Sequence, residues 1–182
     1  MDAAAVQPRT CDPVWQVLVP KLSAGLLLYR AVDNGRDPTV HDALEVLLVH
    51  PGGPFWARRD AGAWSIPKGE VEEGEDPAAR ADVEFEEELG QPVPPGARLD
   101  LGEVRQKGGK QVRAWAVKGD VDARLATSNT FEIEWPRGSG VLRAFPEVDR
   151  AAWFGIDEAR VKLLEGQRPL LDRLIGALQE NR

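Results

Sequence analysis

The chain has 182 residues, 42% of them apolar, with 23 Lys and Arg against 30 Asp and Glu and a formal charge of −7. That length fits one domain, and the apolar content excludes wholesale disorder. A net negative chain is a poor DNA binder, because that affinity comes from Lys and Arg on phosphates. In chain order, residues 1–18 show no clear period and read as a tail or leading segment, leaving 19–180 as the domain. Leu22 to Arg30 reads as a buried strand, with Gly25 marking a close approach by a neighbour. Asp33 to Asp42 is a polar loop, and Leu44 to His50 is a second strand pairing with the first as a hairpin. Phe55 to Ala63 is irregular. Trp64 to Ile66 is a short strand stopped by Pro67.

Asp76-Pro77 opens a helix as N-cap and first helical residue, and Gly90 is placed to close it. Leu99–Val104 and Lys110–Lys118 read as strands paired around the Gly108-Gly109 turn. Thr130–Trp135 is a strand followed by an Arg-Gly-Ser-Gly turn, and Ala151–Phe154 is a short strand. Asp157–Leu164 and Pro169–Leu178 are helical, split by Gly166. The sum is a mixed sheet with helices, an α/β or α+β single domain.

Other functions are bounded by what the chain lacks. One cysteine, Cys11, permits no intrachain disulfide and no Cys-rich zinc site, and His41 and His50 alone cannot build a His-rich one. His50 reads as a strand-end residue. No apolar run reaches the ~20 residues of a membrane helix. Met1 to Pro13 lacks the basic-then-apolar build of a signal peptide. The expectation is a soluble cytoplasmic protein with no membrane partner.

The charge is concentrated. Residues 69–90 hold ten acids and one base, Arg80, and so carry −9, while the remaining residues carry +2. On a helical wheel Ala78, Ala81, Phe85 and Leu89 share the face expected to pack on the sheet. Glu84, Glu87 and Glu88 are expected together on the opposite side. Like charges at i, i+3 and i+4 repel, and hard divalent cations relieve such repulsion through oxygen ligands. A charge run of this kind is more often a solvated face. The frame around it decides otherwise: Gly69, then Glu75, Glu84, Phe85, Glu87, Glu88 and Gly90 at fixed intervals.

That frame resembles the signature of the Nudix hydrolases, G-x5-E-x7-R-E-U-x-E-E-x-G-U, with U a bulky apolar residue. Segments such as SAGLLLYR, AWSIPKGE, LGEVRQKGGK and FPEVDRAAWF also look like small bacterial Nudix proteins described as NTP pyrophosphohydrolases, so the likeness covers residues 20–178. It implies an α/β/α sandwich around a mixed sheet, and water attack on a diphosphate linkage of a nucleotide, assisted by Mg²⁺ or Mn²⁺. By this resemblance Glu84, Glu87, Glu88 and the Gly69 carbonyl hold the metal. Glu87, Glu88 and the loop residue Glu147 are the catalytic candidates, with Glu103 as competitor for the base. Lys68, Arg58, Lys107 and Trp56 are the candidates for binding substrate.

The chain departs from the signature at Val83, where the family has Arg, and at Gln91, in an apolar place. The family Arg orients the neighbouring glutamates. Arg80, four residues before Glu84, is geometrically able to take that role. Two further readings stay open: hydrolysis of ADP-ribose or another nucleoside diphosphate derivative, and a non-catalytic nucleotide-binding module. Substrate choice is expected in the loops 51–63 and 130–146.

Overall fold

The computed structural model describes residues 21–32 and 43–180. The leading segment, Cys11, His41 and the whole Asp33–Asp42 loop lie outside the described residues. Strands β1 (Leu22–Ala31) and β2 (Leu44–Pro51) come first, then β3 (Lys68–Glu70) and helix α1 (Pro77–Leu89). The hairpin β4 (Arg98–Arg105) and β5 (Gln111–Lys118) follows. Next come β6 (Thr130–Glu134), β7 (Leu142–Pro146) and β8 (Val148–Gly155), and the chain continues into α2 (Ile156–Lys162) and α3 (Pro169–Glu180).

The main sheet runs β4-β5-β1-β2-β8, with β3 beside the start of β1. β1 and β5 are parallel, and the other pairs are antiparallel. Both faces of the sheet are covered, so β1 is apolar at every second residue on either side. Ala24, Leu26 and Leu28 pack with Ala81, Phe85 and Leu89 of α1. Leu27 and Tyr29 face the other core, built on Ile156 and Ala159 of α2 and Leu170, Leu171 and Leu174 of α3. This is the expected α/β/α sandwich. Phe85 is fully enclosed, and truncating a ring so placed to Ala costs about 3–5 kcal/mol. Among the described residues no helix is long and apolar enough to cross a membrane.

Three expectations need correction. The short strand lies after Pro67, not before it. Trp64 and Ser65 make only single bridges, to Leu163 and Val49. The Ile66 N–H goes to the Gln167 side chain at 3.0 Å. Pro67 has no N–H to give a ladder, but its carbonyl accepts from Leu26 at 3.1 Å. Pairing with β1 therefore starts at Lys68. Second, the 130–146 stretch is a two-stranded ribbon, β6 with β7, in the register Phe131↔Phe145 and Ile133↔Arg143. Third, the short strand expected at Ala151–Phe154 is eight residues long. It starts at Val148, where the register with β2 shifts at His50/Pro51.

Candidate active site

Helix α1 is set by its ends. The Asp76 side chain accepts from Ala78 N–H at 3.1 Å, Pro77 opens the first turn, and Gly90 closes it at φ 65° with its N–H on the Glu86 carbonyl. The capped helix lays Ala81, Phe85 and Leu89 on the sheet. Glu84 is buried with them at 8% exposure, which corrects the placing of all three glutamates on the far side. At about 100° per residue, Glu84 and Glu88 flank the apolar stripe, and Glu87 alone turns outward.

Strand β3 meets this flank. Gly69 pairs with Ala24, and a methyl group at Gly69 would stand 1.8 Å from the carboxyl carbon of Glu84. A side chain there would push the Glu84 carboxylate aside, which accounts for glycine at this position. Gly69→Ala should therefore cut turnover by about 10- to 100-fold while leaving the unfolding transition cooperative, because it displaces a site carboxylate. Steady-state assay beside a thermal melt checks this, and unchanged turnover would refute the contact's importance.

The neighbouring Lys68 donates its backbone N–H to Glu88 Oε2 at 3.3 Å. Burial pushes the Glu88 carboxyl up to about 8; the Lys68 ammonium opposes this, and the nearby Glu84 and Glu147 carboxylates add to it. Glu147 reaches this neighbourhood from a distant part of the chain. Its N–H donates to the Asn129 carbonyl and its carbonyl accepts from Gly52, each at 2.9 Å. Gly52 is itself pressed on β7, since a methyl there would lie 2.0 Å from the Pro146 carbonyl oxygen. The rival Glu103 pairs with Arg113 at 3.6 Å on the β4–β5 hairpin.

Arg80 forms an ion pair with Glu84 and contacts Glu87 at 3.3 Å. It supplies the guanidinium that Val83 does not, while Val83 is 42% exposed. Gln91 is also accounted for: its amide donates to the Asp122 carbonyl at 3.0 Å and ties down the helix end. Glu75 braces the approach loop by accepting from the Glu72 N–H at 2.8 Å.

The donors gathered here are all oxygen, the chemistry of hard divalent cations. Glu84 and Glu87 are turned to Arg80, and Glu88 to the Lys68 N–H. Among the described residues no three His, Cys, Asp or Glu side chains are grouped at metal-holding spacing. Metal binding at this flank therefore requires the carboxylates to exchange internal partners for the ion.

A cleft of about 920 Å³, none of whose lining residues comes from α1 or β3, is lined in part by Trp56, Arg59, Arg105, Gln106, Lys107 and Arg168. The segment Ile66–Glu70 joins the two places. Ile66 is held by Gln167, next to the cleft-lining Arg168. Glu70 lies 3.9 Å from Lys110 in the turn that follows Lys107. Burial and the Lys68 charge hold the Lys110 amine below its usual range. Trp56 and Lys107 both line this cleft. Arg58 does not line the cleft; Arg59 does, and its guanidinium lies over the Trp56 ring at 5.3 Å. Sequence reasoning missed Gln106 and Arg168, because two distant parts of the chain, the end of β4 and the residue before α3, bring them together. Gly166 lets them meet: a methyl there would lie 2.6 Å from the Arg105 carbonyl oxygen. A second hollow of about 520 Å³ lies past the other end of β1. Its charges pair among themselves, Arg30 with Asp120 and Arg124 with Asp122.

A comparison with curated proteins finds no match. Among solved structures, a C. elegans Ap4A hydrolase in a binary complex superposes with a TM-score of 0.56 at 19% identity, covering 87% of this chain and 98% of that one. A mutT/nudix family protein from Listeria innocua gives 0.57 at 20% identity, covering 90% and 97%. These identities show a shared fold. The NUDIX domain model matches residues 32–174, and with the glycine-framed glutamates of α1 in place, the chain belongs to the Nudix family.

Proposed function

We propose that this chain is a metal-dependent pyrophosphohydrolase that cleaves a diphosphate linkage in a nucleotide, with dinucleoside polyphosphates and nucleoside triphosphates as its first substrates. The observation that carries this reading is the meeting of Glu84 with Gly69 and of Glu88 with Lys68, with the Glu147 charge acting on Glu88. Three carboxylates drawn from a helix and a remote loop share one electrostatic neighbourhood, and Glu88 is driven toward its protonated form there. Such an arrangement is unfavourable until a cation joins it.

Mg²⁺ or Mn²⁺ held by Glu84, Glu87, Glu88 and the Gly69 carbonyl would neutralise diphosphate oxygens and lower the pKa of a bound water. The chain's own groups do the rest. Lys68 and the cleft cations Arg59, Arg105, Lys107 and Arg168 hold the anionic substrate. Trp56 offers a face for a base, a contact that contributes ~1–3 kcal/mol in nucleic-acid complexes. Gln106 Nε2 and Arg168 Nε are buried donors without a partner among the cleft-lining residues, so an acceptor-rich ligand suits this place. Glu147 or Glu88 accepts the proton as a water oxygen bonds to phosphorus and the bridging P–O bond breaks.

The test is a panel of diadenosine polyphosphates, NTPs, ADP-ribose and diphosphoinositol polyphosphates, each with Mg²⁺ or Mn²⁺, followed by product analysis. Metal-dependent release of nucleotide products supports the reading. Tight nucleotide binding with no turnover on any member would replace it with a non-catalytic binding module, the reading that Val83 favours.

A further inference from the structure

His50 is fully buried at the end of β2, outside the carboxylate site. Its Nδ1 lies 2.7 Å from the Asp149 carboxylate, and its Nε2 lies 2.8 Å from the backbone carbonyl of Arg59. Both neighbours are acceptors, so both contacts are hydrogen bonds only when both ring nitrogens carry protons. The ring meets Trp64 edge to face at 5.1 Å, and the Arg150 guanidinium also lies over that indole at 5.4 Å. The ring therefore has little room to turn.

The Arg59 carbonyl closes a tight turn, in which Arg59 N–H donates to the Trp56 carbonyl at 2.7 Å and Trp56 N–H to the Gly53 carbonyl at 3.3 Å. That turn carries both Trp56 and Arg59 to the cleft. We propose that His50 is a positioning residue for substrate binding: it bridges Asp149 of β8 to the Arg59 backbone and holds the Trp56–Arg59 turn at the cleft. This rests on the cleft being where substrate sits. His50 touches no reacting atom, so its loss weakens binding and leaves the chemical step alone.

Two near-isosteres separate the two bonds. Gln places an amide nitrogen where Nε2 stands and can still donate to the Arg59 carbonyl. Asn places one where Nδ1 stands and reaches only Asp149. On the best substrate of the panel, His50→Asn should raise KM about five- to tenfold with kcat within about twofold, and His50→Gln should stay within about twofold on both. Equal KM values for wild type and His50→Asn, or an Asn effect confined to kcat, would overturn the proposal. If neither variant folds, the wild-type protein decides by ¹⁵N-resolved spectra of its two histidines. A proton on both His50 nitrogens supports the bridge, and a bare Nε2 refutes it. If the wild type hydrolyses nothing, the functional reading fails by itself. Amide exchange over Ala57–Gly62 then still judges His50: faster exchange in His50→Asn than in His50→Gln supports the bridge, and equal rates refute it.

Discussion

Arg80→Ala should lower turnover by about 10- to 100-fold, and adding Val83→Arg to it should restore most of the loss. The size follows from what partners that orient metal ligands contribute. The rescue follows from helix geometry. Arg80 reaches Glu84 at i, i+4 and Glu87 at i, i+7, and both contacts are present. An arginine at 83 would stand at i, i+4 to Glu87, about 40° away on the wheel. Val83 is 42% exposed, so the longer side chain displaces nothing. Val83→Arg alone should change turnover by less than about threefold, since Arg80 already occupies the glutamates. Steady-state rates for the four members of this cycle, at saturating Mg²⁺, measure the coupling. If Val83→Arg alone raises turnover strongly, Arg80 is not filling the missing role. If Arg80→Ala raises turnover, the pair is a brake on metal entry rather than a brace for it.

The same helix shows how far pattern reading carries. Its ends were legible because capping is local chemistry: Asp76, Pro77 and Gly90 act within four residues of themselves. The Gly69 position was legible from spacing, although its reason, a carboxylate that leaves no room for a methyl group, is tertiary. The placing of Glu84 failed for a physical reason. A wheel assigns charge to solvent by default, and here burial against β3 with a guanidinium partner overrides it. Pro67 misled in the opposite way. A residue without an N–H does end one pairing, but its carbonyl remained free to begin the next. The ribbon strand β7 was hidden because only Leu142–Pro146 pairing with β6 makes it a strand, and its residues are mostly exposed. The cleft was least legible. Trp56, Lys107 and Arg168 are far apart in the chain, and their convergence depends on Gly166 meeting the β4–β5 turn.

Glu88→Gln should move activity and stability in opposite directions. Turnover should fall by about 10²- to 10⁴-fold, the range for removing a group that moves a proton, with loss of a metal ligand added. Stability without metal should rise at neutral and higher pH. The folded-state value of Glu88 is about 8 against an ordinary 4.5, so between those limits the folded chain holds a proton that the unfolded chain releases. Stability then falls as pH rises through that window, and the fall is complete above the folded value. Gln carries no proton to lose, so the variant should lack this component of the slope. Metal has the reverse effect on the wild type. The ion needs the carboxylate form, so its affinity should climb as pH rises toward and past about 8, with protons released on binding. Thermal melts of wild type and Glu88→Gln from pH 5 to 9, with EDTA and with Mg²⁺, contain every arm of this test. Parallel slopes for the two proteins in EDTA would show that Glu88 is not the group losing its proton. A Mg²⁺ stabilisation that survives unchanged in Glu88→Gln would remove this carboxylate from the metal site.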